Sequence, residues 1–265
     1  MNDLQPHRAR KRFGQNFLHD QGIIRRIAAA VRARPGQQVL EIGPGQGALT
    51  AALLASGCQL LAIELDRDLV PLLERKFGDR PNFRLQQGDA LTLDLASCGP
   101  GPWRVVGNLP YNISTPLMFH LLSQRDAVTD MHFMLQKEVV ERLAAQPGSK
   151  AYGRLGIMAQ YYCDVEALFD VPPGAFTPRP KVDSAVVRLT PHAVLPHPVR
   201  SEKLLHDVVR TAFNQRRKTL RNALQGMIDS AALEQLGIDP GSRAETLPLA
   251  TFVTIADQLA DQQDA

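Results

Sequence analysis

Gln38-Val39-Leu40-Glu41-Ile42-Gly43-Pro44-Gly45-Gln46-Gly47-Ala48 decides the fold. Val39 to Ile42 has the short apolar signature of a buried strand. It runs into closely spaced glycines and reopens as a helix over Ala48 to Ala55. The same alternation continues downstream. Gln59 to Leu65 reads as a second strand, with Asp66 capping a helix over Arg67 to Phe77. Asn82 to Gln86 reads as a third strand, ending at Gly88-Asp89, with a fourth over Trp103 to Gly107 and a fifth over Met131 to Leu135. Strands alternating with helices predict an α/β fold whose mostly parallel sheet is covered on both faces. Upstream, Ile23, Ile24 and Ile27 mark the inner face of a helix over Gln21 to Val31, ended by Pro35-Gly36.

Downstream of Gln136 the spacing predicts helices over Lys137 to Ala145 and Arg154 to Tyr162. A proline-rich loop follows over Phe169 to Lys181, then a late strand over Ser184 to Leu189. The prolines between Pro191 and Pro198 mark a boundary, beyond which the text reads as helix only. The expected organisation is a domain over 1–194, with a basic arm within 1–18, and a small helical domain over 195–265.

The chain has 265 residues, 44% of them hydrophobic and 22% charged, so it can bury a core and is not a disordered chain. A formal charge of +3 permits a nucleic-acid partner without requiring one. The three cysteines, Cys58, Cys98 and Cys163, are far apart, which suggests neither a disulfide framework nor a zinc site. No apolar run has membrane-spanning length, and the N-terminus lacks the apolar segment of a secretory signal. A cytoplasmic location is expected, and no metal site. Arg8, Arg10, Lys11 and Arg12 crowd the N-terminus, as either a solvated tail or an arm touching phosphate.

Gly43 and Gly45 let backbone approach a ligand closely between a strand and a helix. Glu64 closes the next strand 19 residues after Gly45, where a carboxylate accepts hydrogen bonds from ribose hydroxyls. Gly43-x-Gly45-x-x-Ala48 also satisfies the dinucleotide fingerprint, so the turn alone does not separate a nicotinamide cofactor from another adenosine cofactor. Asp89, ending the third strand, could accept a hydrogen bond from an adenine amine. Glu41, Glu64, Asp89 and Asn108 all fall near the carboxyl edge of the sheet, where ligands of such sheets bind. Several acids without a pyrophosphate clamp suit a cationic ligand, such as the sulfonium of S-adenosylmethionine.

Val105-Val106-Gly107-Asn108-Leu109-Pro110-Tyr111 is the most informative stretch for chemistry. A strand stops at a polar Asn108, and Pro110 rigidifies the turn while restricting Leu109 to extended geometry. The Asn108 side-chain oxygen and the Leu109 carbonyl can together accept both protons of one aromatic amine, directing its lone pair at the sulfonium methyl. Tyr111 offers a face for the base. Methyl transfer is an in-line displacement by a neutral amine, so positioning carries much of the rate and no strong base is needed.

With these residues the sequence resembles the KsgA-type ribosomal RNA adenine dimethyltransferases over nearly its whole length. The resemblance is carried by Phe13 to Leu18, Glu41 to Gly47, Glu64 to Asp68, Asn108 to Pro116, Met134 to Glu138, Tyr152-Gly153, Phe176 to Ser184 and Phe213 to Asn222. It implies a Rossmann-like methyltransferase sheet with a small all-helical C-terminal domain, using S-adenosyl-L-methionine. The implied activity is N6,N6-dimethylation of two adjacent adenines in the 3′-terminal hairpin of 16S ribosomal RNA, within the 30S subunit or its precursor. By the same resemblance Asn16, Leu18, Gly43, Glu64, Asp89 and Asn108 line the cofactor site. Asn108 to Tyr111 hold the target adenine, and Phe176 stacks on its other face. Arg179 stands where the family often has proline.

Leu205, Val209, Phe213, Leu220 and Leu224 suit a buried helical face. Arg217, Lys218 and Arg221, spaced three and four apart, are expected to share another face, solvated or in contact with RNA phosphate. A monomer is expected. Large-subunit ribosomal RNA methyltransferases, an assembly-binding role with methylation secondary, and a nicotinamide oxidoreductase are the rival readings.

Overall fold

The computed structural model describes residues 15–110, 112–215 and 217–264. Tyr111 and residues 1–14, which hold all the basic side chains of the arm expected over 1–18, lie outside the described residues. The chain divides into two compact units, one of residues 1–140 and 166–191, the other of 141–165 and 192–265. The second unit therefore takes in residues 141–165, which the sequence reading puts in the N-terminal domain.

The first unit opens with β1 (Phe17–Leu18) and α1 (Gln21–Val31), whose first turn is capped by the Asp20 carboxylate accepting from the Ile23 N–H at 2.9 Å. β2 (Gln38–Ile42), α2 (Ala48–Leu54), β3 (Gln59–Glu64), α3 (Val70–Phe77) and β4 (Phe83–Gln87) follow in alternation. Then come β5 (Trp103–Asn108), α4 (Ser114–Leu122), β6 (Val128–Gln136) and α5 (Lys137–Leu143). α3 begins three residues later than its apolar pattern suggests. Asp66 instead closes a turn, its carbonyl accepting from Leu69 N–H and its carboxylate from Asp68 N–H.

After α6 (Arg154–Tyr162) the chain forms β7 (Cys163–Val171), β8 (Phe176–Thr177) and β9 (Ser184–Pro191). The sequence between Tyr162 and Ser184 predicts no strand, so β7 and β8 are additions to the expected order. β7 lies at the edge of the sheet, where Asp164, Glu166 and Asp170 interrupt its apolar run, and Glu166 pairs with Arg188 of β9. Lys137 and Asp170 form a further ion pair at 2.6 Å.

The main sheet has the order β4-β3-β2-β5-β6-β9-β7. β4, β3, β2, β5 and β6 run parallel, and β9 pairs antiparallel with β6. The chain moves outward from β2 to β4 and then returns to β5 on the other side of β2. The carboxyl ends of β2 and β5 thus form the topological switch point, where a crevice opens. One face of the sheet is sealed by Ile23, Ile24 and Ile27 of α1 and Leu53 of α2 against Val39, Val106, Met134 and Val186.

In the second unit, α6, α7 (Glu202–Phe213), α8 (Leu220–Ala223), α9 (Ser230–Gln235) and α10 (Leu249–Asp264) supply the helices. Leu205, Val209, Leu220 and Leu224 are buried, as their spacing predicts. Phe213 packs between Tyr152 and Phe252, with centroids 6.1 and 5.8 Å away. α7 ends at Phe213, however, and Arg217 and Lys218 lie in the turn before α8. The three basic residues do not share a face of one helix. Among the described residues no helix is long and apolar enough to cross a membrane.

Candidate active site

The strand-to-helix turn after β2 is built on positive φ angles, +67° at Gly43 and +58° at Gly45. A Cβ on Gly45 would stand 3.1 Å from the Phe17 ring, so glycine there lets β1 close down on the turn. At Gly43 the nearest atom to such a Cβ is the Asn108 carbonyl oxygen at 4.0 Å. The glycine leaves that side of the turn open.

Glu64 ends β3 with 5% of its surface exposed. Its carboxylate accepts from Asp66 N–H at 2.8 Å and Gly45 N–H at 3.2 Å, which ties the ends of β2 and β3 together. Burial pushes its pKa up, against the pull of those hydrogen bonds. Glu41, on β2, is more deeply buried and accepts from the Thr50 hydroxyl at 2.7 Å. Burial raises its pKa to about 7; the Thr50 bond opposes the rise and the Glu64 charge adds to it. Asp89 is exposed, and one carboxylate oxygen accepts from Leu91 N–H at 2.9 Å, capping the turn after β4.

Asn108 ends β5, and its Nδ2 donates to the Asn16 carbonyl at 3.0 Å. That bond fixes the amide so that Oδ1 is the atom left to accept. Leu109 N–H donates to the Met134 carbonyl at 3.3 Å, and Ile113 N–H to the Pro110 carbonyl at 3.1 Å, so the segment is held at both ends. β1 pairs antiparallel with β8, Leu18 opposite Phe176 and Phe17 opposite Thr177. The residues flanking Asn16 are thereby anchored over the edge of the sheet, and Gln15 Nε2 donates to Asp66 at 2.9 Å.

These elements enclose a cavity of about 330 Å³. Asn16, Leu18, Gly43, Gly45, Glu64, Asp89 and Asn108 all border it, as do Leu109 and Pro110. Phe176 does not; its side chain is buried in the core beside Leu18. Arg217, Lys218 and Arg221 are exposed residues of the second unit. Glu41, which the sequence places with Glu64, Asp89 and Asn108 at the carboxyl edge of the sheet, also borders the cavity, as do Asp66 and Gln15, to which the sequence assigns no ligand role.

The lining fits S-adenosylmethionine. Its volume falls in the range of ligand pockets, roughly 300–1,000 Å³. Its charged groups among the described residues are the acids Glu41, Glu64, Asp66 and Asp89, with no lysine or arginine. Such a lining favours a cation and offers nothing to neutralise the pyrophosphate of a dinucleotide.

The model of the family described as ribosomal RNA adenine dimethylase matches residues 6–261. A protein named ribosomal RNA small subunit methyltransferase A from Pseudomonas putida is 65% identical over 267 residues, covering 100% of both chains. The protein of that name from Pseudomonas aeruginosa is 63% identical over 263 residues, 98% of each chain. Among solved structures, a dimethyladenosine transferase from Plasmodium falciparum superposes with a TM-score of 0.82 at 26% identity, covering 93% of this chain and 98% of that one. The 23S rRNA methyltransferase ErmE gives 0.75 at 27% identity, covering 92% and 100%. With the family model and these full-length relatives in agreement with the crevice at the switch point, the chain belongs to the ribosomal RNA adenine dimethylases, enzymes that methylate adenine in ribosomal RNA with S-adenosylmethionine as donor.

Proposed function

We propose that this enzyme dimethylates two adjacent adenines at N6 in the 3′-terminal hairpin of 16S ribosomal RNA, acting as a cytoplasmic monomer on the 30S subunit or its precursor. The small-subunit assignment is supported by the names of relatives that match over the full length. ErmE, whose name refers to 23S RNA, is far less similar in sequence.

The observation that carries the chemistry is the Asn108–Asn16 hydrogen bond. It leaves Asn108 Oδ1 as an acceptor on a residue that lines a cavity suited to a cation. When bound there, S-adenosylmethionine supplies a methyl group activated by its sulfonium. Glu64 accepts from the ribose hydroxyls and Asp89 from the adenine of the cofactor, while the Gly43 and Gly45 backbone lies alongside. Asn108 Oδ1 and the Leu109 carbonyl accept the two N6 protons of the target adenine, so that its lone pair points along the line of transfer. Pro110 keeps the Leu109 carbonyl aimed. Tyr111 stacks on the base. The Phe176 ring is covered here, so stacking by it requires the β1–β8 pair to shift. Arg217, Lys218 and Arg221 hold RNA phosphate, which positions the substrate without reading its sequence.

Methyl transfer from labelled S-adenosylmethionine to small subunits lacking the modification, with mass analysis of the RNA, tests this reading. Dimethyladenosine at two neighbouring adenines near the 3′ end is expected. Asn108→Ala is expected to slow transfer at least about 100-fold while cofactor binding remains measurable. Transfer at the normal rate would remove Asn108 from the mechanism.

A further inference from the structure

A primary amide carries a donor at one end and an acceptor at the other, so turning the Asn108 amide over would aim N–H groups at the amine of the target adenine. A backbone carbonyl only accepts. The Asn16 carbonyl, 3.0 Å from Asn108 Nδ2, therefore decides which end of the amide is left for the substrate. Whatever holds that carbonyl in place takes part in setting the acceptor.

Asn16 lies just ahead of β1, a strand of two residues, and the pairing of β1 with β8 holds it from one side. Gln15 holds it from the other. Its Nε2 donates to Asp66 Oδ2 at 2.9 Å, a bond made across 51 residues. Asp66 is a fixed point, buried at 2% exposure. Its Oδ1 accepts from Asp68 N–H at 3.2 Å and its carbonyl from Leu69 N–H at 2.9 Å. Its own N–H donates to Glu64 at 2.8 Å.

Glu64 ends β3 and Asn108 ends β5, and β2 lies between those strands. Gln15-Asn16 thus bridges two strand ends that are not neighbours, a gap of roughly 10 Å. It passes the turn after β2, where the Phe17 ring closes on Gly45. Gln15, Asn16, Asp66 and Asn108 all border the cavity.

We propose that Gln15 is a positioning residue for methyl transfer. Held on Asp66, it keeps the Asn16 carbonyl where it orients the Asn108 amide, and so ties the β3 side of the cavity to the acceptor for the target amine. The proposal rests on the role given to Asn108 under the proposed function. A carboxylate at position 15 would face Asp66 as a like charge and drive the segment away.

Single-turnover methyl transfer to small subunits lacking the modification, at saturating cofactor, tests it, beside calorimetric affinity for S-adenosylhomocysteine. Gln15→Ala is expected to slow transfer by about tenfold or more, with cofactor affinity within about threefold, because small misplacements at a reacting centre are costly in rate. In an Asn108→Ala background the same substitution should cost nothing further, since it acts through Asn108. Gln15→Glu should be at least as slow as Gln15→Ala. Adding Asp66→Asn to it returns a donor to the pair and should regain most of the loss. Gln15→Ala at the normal rate overturns the proposal, as does a loss confined to cofactor affinity. So does an equal further loss in the Asn108→Ala background, or a Gln15→Glu defect that Asp66→Asn does not relieve. If Asn108→Ala itself transfers at the normal rate, the role of Asn108 fails first and this proposal falls with it.

Discussion

Glu41 shows how one buried carboxyl couples the site to stability. Its pKa is raised to about 7 by burial, with the Thr50 hydroxyl opposing and the Glu64 charge assisting. An acid whose folded pKa lies above its unfolded value contributes stability below the unfolded pKa. That contribution is lost as pH rises through the folded value. Between 4.5 and about 7 the loss amounts to roughly 3 kcal/mol. Glu41→Gln keeps an oxygen for the Thr50 hydroxyl and removes the charge. The variant should match the unaltered protein near pH 4.5 and exceed it at pH 8 by up to about 3 kcal/mol in urea unfolding. A stability difference that does not vary with pH would show that Glu41 titrates as an ordinary carboxylate. The sequence exposes Gly43, Glu64 and Asn108 as site candidates because each stands where a strand's apolar run stops. Glu41 stands inside such a run, and its Thr50 partner comes from the neighbouring helix, so its environment is a tertiary fact. Asn16 is a different case: its backbone carbonyl touches Asn108, and no residue type announces a backbone contact.

At the scale of elements, α2 starts where a glycine makes the start possible. Gly47 precedes the helix at φ +81°, and a Cβ there would fall 2.4 Å from the Phe77 ring of α3. Gly47→Ala therefore meets a strained backbone and an overpacked core together. It is expected to lose at least about 2 kcal/mol in denaturant unfolding. A loss below about 0.5 kcal/mol would mean that Phe77 moves aside and the turn relaxes. Elements with a strong period are legible in the sequence: α1 and α6 span Gln21–Val31 and Arg154–Tyr162 as their apolar spacing predicts. β7 is not legible, because an edge strand with a solvated side tolerates Asp164 and Glu166 where a central strand would not. The break between α7 and α8 is also hidden. Asn214 to Thr219 holds no proline or glycine, and the chain turns there because Leu220 N–H bonds the Ser242 carbonyl at 2.7 Å, a contact made across 22 residues.

Across the whole molecule, a net charge of +3 conceals two opposite electrostatic tasks. The cavity of the first unit is lined by acids, which suits a cationic cofactor and repels phosphate. Cations for an RNA partner must therefore come from elsewhere, and Arg217, Lys218 and Arg221 are exposed in the second unit. They keep this capacity although they do not share one helical face. Phosphate binding depends on accessible charge and counterion release, not on helical register. Replacing all three by glutamine should weaken binding to small subunits and flatten its dependence on salt. Each lost phosphate contact removes roughly 0.7–0.9 from the slope of log affinity against log salt concentration, so the triple variant should lose about 2–3. Cofactor affinity should stay within about twofold, because none of the three borders the cavity. Binding titrations from low to physiological salt measure the slope, and calorimetry measures the cofactor. An unchanged slope would show that these side chains are solvated in the complex. The phosphate contacts would then belong to other cations, with the N-terminal Arg8, Arg10, Lys11 and Arg12 the next to be replaced.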